Sequence, residues 1–194
     1  MDLEKFVSQE MKKIIISIIG VVLLLATLAF VQTDFVKGRS KKEVFTQEKL
    51  LVPAFVLPNL KGGKVHFSEF QGKIVILDFW ATWCAPCREE MVHLNELYQQ
   101  YKGDGLIVVG IAMDQGGPER IQQVIEKFGI GYINLMADEK VIKDFESLPG
   151  MGPIQGIPAS YIIDPQGRIC YRFVGLTQKE VFEKAIKRLM KKET

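Results

Sequence analysis

The sequence predicts a three-layer α/β sandwich: a central mixed sheet flanked by helices, opened by an N-terminal β-hairpin and preceded by one transmembrane helix. Three observations predict it. Ile74–Trp80 (IVILDFW) and Leu106–Met113 (LIVVGIAM) are near-continuous apolar runs rich in β-branched residues, which suits strands buried on both faces. Segments of helical period alternate with the strand-like runs, as in α/β architectures. Ile14–Val31 (IIISIIGVVLLLATLAFV) holds eighteen residues without a charge or a proline.

Composition narrows the function. The 194 residues carry 47% hydrophobic and 25% charged residues, which excludes a disordered or collagen-like chain. With 25 Lys and Arg against 23 Asp and Glu, the net charge of +2 leaves no polyanion footprint, so no nucleic-acid partner is expected. Three cysteines supply neither a disulfide-framework miniprotein nor a four-cysteine zinc site.

The N-terminal run spans about 27 Å as a helix, close to a bilayer's hydrocarbon core. Lys5, Lys12 and Lys13 precede it, but Lys37, Arg39, Lys41 and Lys42 follow, so charge alone leaves orientation open. A short tail ahead of a large soluble domain favours a signal anchor. The expected organisation is a cytoplasmic N-terminus (1–13), a transmembrane anchor (14–33), a polar tether (34–48) and one globular domain (49–194). A signal peptide cut near Thr27-Leu28-Ala29 stays open as the alternative. Both place the domain outside the cytoplasm, at the cell membrane's periplasmic side for the anchored form, where disulfides persist.

Within the domain, Val65-His66-Phe67 after Gly62-Gly63 suggests a small N-terminal hairpin. After Cys84 an apolar stripe runs through Cys87, Met91, Leu94 and Tyr98, flanked by Leu97 and Tyr101. Ile121, Val124, Ile125 and Phe128 give a helix over 118–128, and Tyr132–Met136 is a short strand. Val141, Ile142 and Phe145 mark a further short helix. Ala159–Ile163 and Arg168–Val174 flank Asp164-Pro165-Gln166-Gly167 and read as a hairpin, and Val181–Leu189 is the last helix. Cys170 is expected as a buried, inert thiol, and His66 and His93 as surface groups.

Cys84-Ala85-Pro86-Cys87 sits where the first apolar strand hands over to a helix. Cysteines three apart in a first helical turn are within disulfide range. Unpaired amides and the helix dipole there favour a thiolate at Cys84, which makes it the nucleophile. Pro86 is tolerated because first-turn amides lack helical partners, and it stiffens the turn. A zinc site would have only Cys170, His66 and His93 to complete it, and c-type haem attachment needs a histidine where Arg88 stands. Redox exchange without metal or cofactor is the expected chemistry. Asp78 interrupts an otherwise apolar strand, where a buried carboxylate is costly and holds its proton more tightly. Strand alternation alone leaves open a solvent-facing Asp78. Glu90, one turn after Cys87, is expected to be partly buried on the same helical face, with a solvated carboxylate as the alternative.

Asp78-Phe79-Trp80-Ala81-Thr82-Trp83-Cys84-Ala85-Pro86-Cys87-Arg88-Glu89-Glu90 resembles the active-site segment of membrane-anchored, thioredoxin-like reductases of the TlpA/ResA type, within the AhpC/TSA–Redoxin superfamily. The resemblance extends to Pro53-Ala54-Phe55, Gly72-Lys73, Gly156-Ile157-Pro158-Ala159 and Ile163-Asp164-Pro165-Gln166-Gly167, over about residues 50–190. It implies a thioredoxin fold with an extra N-terminal hairpin and an inserted strand–helix unit. It also implies that Cys84 and Cys87 form the redox-active disulfide, with Asp78 and Glu90 as proton acceptors for Cys87. Ile157-Pro158 takes the place of the family's cis-proline step beside the dithiol, where Ile157 pairs with substrate backbone. Trp83, Ala85 and Pro86 complete the expected substrate-facing surface. The implied partners are a disulfide-bearing protein, with apocytochrome c the suggested case, and a membrane thiol transporter of the DsbD/CcdA kind as reductant. A thiol oxidase and a non-catalytic binding module remain the alternatives.

Overall fold

The structure, a computed structural model, describes residues 44–45, 50–114, 116–150, 152–154 and 156–191. The expected N-terminal segment 1–13, the expected anchor 14–33 and most of the expected tether lie outside the described residues. No helix among the described residues is long and apolar enough to cross a membrane. Inside the segment read as a tether, Val44–Phe45 forms a short strand, β1, and so belongs to the fold.

The remaining elements follow in chain order. Strands β2 (Val56–Pro58) and β3 (Lys64–His66) form the expected hairpin, and Phe67 opens a 3-10 turn rather than extending it. Strand β4 (Ile74–Trp80) leads into helix α1 (Ala85–Tyr101), then β5 (Leu106–Ala112), α2 (Pro118–Lys127), β6 (Ile133–Met136) and α3 (Glu139–Glu146). Strands β7 (Ala159–Ile163) and β8 (Ile169–Val174) make the closing hairpin before helix α4 (Lys179–Met190). The six-stranded sheet runs β1-β8-β7-β4-β5-β6. Strands β4, β5 and β6 are parallel and the other neighbours antiparallel, so the sheet is mixed as predicted.

Strand alternation divides the apolar side chains into two cores. Ile74, Ile76 and Trp80 of β4 point to the face covered by α1, α2 and α4; Val75, Leu77 and Phe79 point to the face covered by α3 and the β2–β3 hairpin. Asp78 shares its parity with the first set and therefore lies under α1. The β7–β8 turn is set by Asp164, whose Oδ1 accepts from the amides of Gln166 and Arg168 at 3.1 and 2.9 Å, while Gly167 takes φ +78°. An isolated bridge from Asn59 to Leu135 lays the end of the hairpin against β6.

Three expectations shift. The buried face of α1 runs through Cys87, Glu90, Met91, Leu94, Leu97 and Tyr101, leaving Tyr98 half-buried. Cys170 is half-buried rather than buried, because its position in β8 alternates with the inward Ile169 and Tyr171. His93 is half-buried too, with Nδ1 3.2 Å from the Thr177 carbonyl oxygen.

Gly110 of β5 lies between Asp78 and Asn134 in register. A Cβ at this position would fall 2.1 Å from Asn134 Oδ1 and 2.8 Å from Trp80 Nε1. Those two atoms are joined by a buried hydrogen bond of 3.0 Å, donated by the indole N–H. Gly110→Ala is therefore expected to destabilise the fold by about 1–3 kcal/mol through overpacking, read as a lowered urea midpoint with an unchanged slope.

Candidate active site

Strand β4 ends at Trp80, and after three intervening residues the chain turns into α1 with Cys84 as its N-cap. Cys84 Sγ accepts the amide N–H of Cys87 at 3.2 Å, so the sulfur itself caps the helix. Cys84 and Cys87 are joined in a disulfide with their α-carbons 5.3 Å apart, and Pro86 falls in the first turn. Cys84 retains 5% of its surface and Cys87 none. Cys84 is thus nearly buried, although its neighbours Trp83, Ala85 and Pro86 are exposed, Trp83 to 67%.

The turn before Cys84 is held from outside the motif. Asp114, just past β5, accepts from the Thr82 amide at 2.8 Å and from the Thr82 hydroxyl, and Arg88 Nη1 donates to the Thr82 carbonyl at 2.7 Å. Carboxylate and guanidinium bonds of this kind are stronger than neutral ones and fix the loop's register. Across from the disulfide, the Ile157–Pro158 bond is cis, and the Ile157 carbonyl oxygen lies 3.7 Å from Cys84 Sγ. Pro158 is buried and Ile157 half-buried. The loop ahead of them is tied to α3, with the Ile154 amide donating to Glu146 Oε1 at 3.0 Å.

The structure brings both predicted carboxyls together. Asp78 and Glu90 are each fully buried, which bears out the buried reading of Asp78 over its solvent-facing alternative and corrects the partial burial expected for Glu90. Ser160, the partner of Asp78 in the β4–β7 register, sits between them: its Oγ is 2.6 Å from Glu90 Oε1 and 3.1 Å from Asp78 Oδ1. The Thr177 amide donates to Glu90 Oε2. Burial, then the neighbouring charge of Glu90, pushes the Asp78 carboxyl well above the usual carboxylate range, only partly offset by the Ser160 hydrogen bond. Tyr132 is also fully enclosed, and burial with the charges of Asp78 and Glu90 keeps its phenol neutral. Ser160, Thr177 and Asp114 escaped the sequence reading. Ser160 offered the one available signal, a polar residue inside the apolar strand ASYII.

A groove of about 580 Å³ lined by Phe55, Val56, Phe67 and Val141 lies on the hairpin side of the sheet, and neither cysteine lines it.

The sequence profile of the AhpC/TSA family matches residues 50–172. The chain belongs to the AhpC/TSA family. Among its relatives, the thiol-disulfide oxidoreductase ResA of Bacillus thuringiensis (strain Al Hakam) is 31% identical over 138 residues, covering 71% of this chain and 75% of that protein. The thioredoxin-like protein YneN of Bacillus subtilis (strain 168) is 33% identical over 168 residues, covering 84% and 93%. A solved structure of a thioredoxin-family thiol:disulfide interchange protein from Chlorobium tepidum TLS superposes with a TM-score of 0.66 at 28% identity, covering 74% of this chain and 97% of that one. This family member thus has a thioredoxin-like α/β fold and is a thiol–disulfide oxidoreductase of the ResA type, carrying a Cys84–Cys87 pair.

Proposed function

We propose that the protein is a membrane-tethered, extracytoplasmic reductase of protein disulfides. The observation that carries this reading is that Cys87 and Glu90 share the buried face of α1 one turn apart, that Ser160 links Glu90 to the buried Asp78, and that Cys84 caps the helix N-terminus. In the reduced protein the Cys84 thiolate attacks a substrate disulfide, forming a mixed disulfide and expelling one substrate sulfur as thiolate, which takes a proton from water. Cys87 then gives its proton to the Asp78/Glu90 pocket, and its sulfur attacks Cys84 Sγ. That step forms the Cys84–Cys87 disulfide and releases the second substrate sulfur. The substrate gains two electrons and the dithiol loses them.

The backbone of Ile157 beside Pro158 is within reach to align an extended substrate, and the exposed Trp83, Ala85 and Pro86 supply its apolar footing. The span 14–33 is the anchor, with residues 1–13 in the cytoplasm. The haem-binding cysteines of apocytochrome c are the substrate class the family resemblance suggests, and a DsbD/CcdA-type transporter is the reductant.

The test uses the full chain with Cys87→Ala in cells. A mixed disulfide on Cys84 with a protein bearing a haem-attachment dithiol is expected, together with Cys84 labelling by a membrane-impermeant maleimide in intact cells. Labelling only after lysis would overturn the topology. A reduction potential well above about −270 mV would turn the assignment to an oxidase.

A further inference from the structure

The polar groups of this cluster come from five separate parts of the fold: Asp78 from β4, Glu90 from α1, Ser160 from β7, Tyr132 from the segment before β6, and Thr177 from the β8–α4 connection. All five are buried. Ser160 has one hydroxyl proton yet touches two carboxyls. Its shorter contact, 2.6 Å to Glu90 Oε1, takes that proton. Glu90 also receives the Thr177 amide on its other oxygen, so two donors converge on it and favour its charged form.

The 3.1 Å contact between Ser160 Oγ and Asp78 Oδ1 then has no hydrogen left unless Asp78 supplies it. With the acid proton on Asp78 each of these three contacts has a donor and an acceptor: Asp78 donates to Ser160, Ser160 to Glu90, and the Thr177 amide to Glu90. Reversing the first two bonds moves the proton to Glu90 and leaves Asp78 charged, with the same heavy-atom positions.

We propose that Asp78, Ser160 and Glu90 form one proton-sharing unit, in which a single acid proton passes between the two carboxyls through the Ser160 hydroxyl and serves the dithiol as a reservoir. This rests on the reading that Cys87 discharges its proton into the pocket. In the disulfide form described above the unit holds that one acid proton, which reaches it from the Cys87 thiol as Cys87 attacks Cys84 and the sulfur–sulfur bond forms. When an incoming dithiol reduces that bond, Cys87 leaves as thiolate and recovers the proton. Ser160 gains and loses one proton in each passage and ends unchanged, so it is a positioning residue.

A shared proton makes the three side chains behave as a unit rather than as independent acceptors. The measurement is single-turnover reduction of a disulfide-bonded synthetic peptide by the full chain, followed against pH. Asp78→Asn, Glu90→Gln and the double variant are each expected to slow the Cys87 step by a similar factor, about 10²-fold. Ser160→Ala should slow it comparably and reshape the rate–pH profile, while Ser160→Thr, which keeps the hydroxyl, should restore both. Fold-changes that multiply in the double variant would overturn the sharing, as would a wild-type profile in Ser160→Ala. A double variant as fast as the wild type would instead overturn the pocket's service to Cys87. Infrared difference spectra of the oxidised and reduced wild type give an independent reading that needs no Ser160 variant. The carboxyl-proton signal should be altered by Asp78→Asn and by Glu90→Gln alike, and a signal altered by only one of them overturns the unit.

Discussion

Replacing Cys84 with serine is expected to lower disulfide exchange by on the order of 10³-fold or more, the scale seen when a covalent nucleophile is removed. Cys84 is the only residue of the pair with any exposed surface, and its neighbours Trp83, Ala85 and Pro86 are open. Its sulfur also lies 3.7 Å from the Ile157 carbonyl oxygen. A serine hydroxyl stays protonated where a thiol at a helix N-terminus ionises, so neither access nor capping compensates. The fold should survive, because a bridge between residues three apart closes too short a loop to stabilise much. Steady-state reduction of a peptide disulfide, with circular dichroism as the folding control, checks both halves of this expectation. Retained exchange in Cys84→Ser would transfer the attack to another group.

Asp78→Asn is expected to change stability and activity in opposite directions. In the folded chain Asp78 holds its proton well above the usual carboxylate range, because burial and the charge of Glu90 both oppose ionisation. In the unfolded chain it ionises normally. As pH rises through the carboxylate range, the native state therefore keeps a proton that the unfolded state has released, and the stability associated with Asp78 is lost until the raised value is passed. Asparagine has no proton to release. The variant should match the wild type below about pH 3, where Asp78 is neutral in both states, and exceed it by on the order of 1–3 kcal/mol at alkaline pH. Urea midpoints across that range measure the difference, and equal midpoints at high pH would remove the basis for a neutral Asp78. The same variant should exchange more slowly, as argued for the proton-sharing unit. A side chain that destabilises the core while serving the chemistry is an instance of stability given up at a functional site.

The strands were legible because β4 and β5 bury both faces and so read as unbroken apolar runs. The pairing of β7 with β8 was legible from Asp164 and Gly167 in their turn. The position of Asp78 followed from its strand, but alternation alone does not say which face a helix covers; only the packing of α1 decides that. Glu90 illustrates the limit more sharply. Its helical face was evident from Cys87 and Leu94, whereas its complete burial depends on Ser160 and Thr177, which lie 70 and 87 positions away in the chain. Asp114 is invisible for the same reason, since its partner Thr82 is 32 positions upstream and no local pattern links them. Strand β1 carries too few residues to show a period, and its polar surroundings read as linker.

The two borders of the main sheet offer little free backbone: β1, the edge strand beside β8, is only two residues long, and Asn59 reaches Leu135 of β6 on the opposite rim. Unpaired strand backbone is what lets one molecule's sheet propagate into the next, and both rims here are partly blunted. Copies crowded side by side would therefore resist edge-to-edge stacking into fibrils, even while each keeps its reactive end uncovered for visitors.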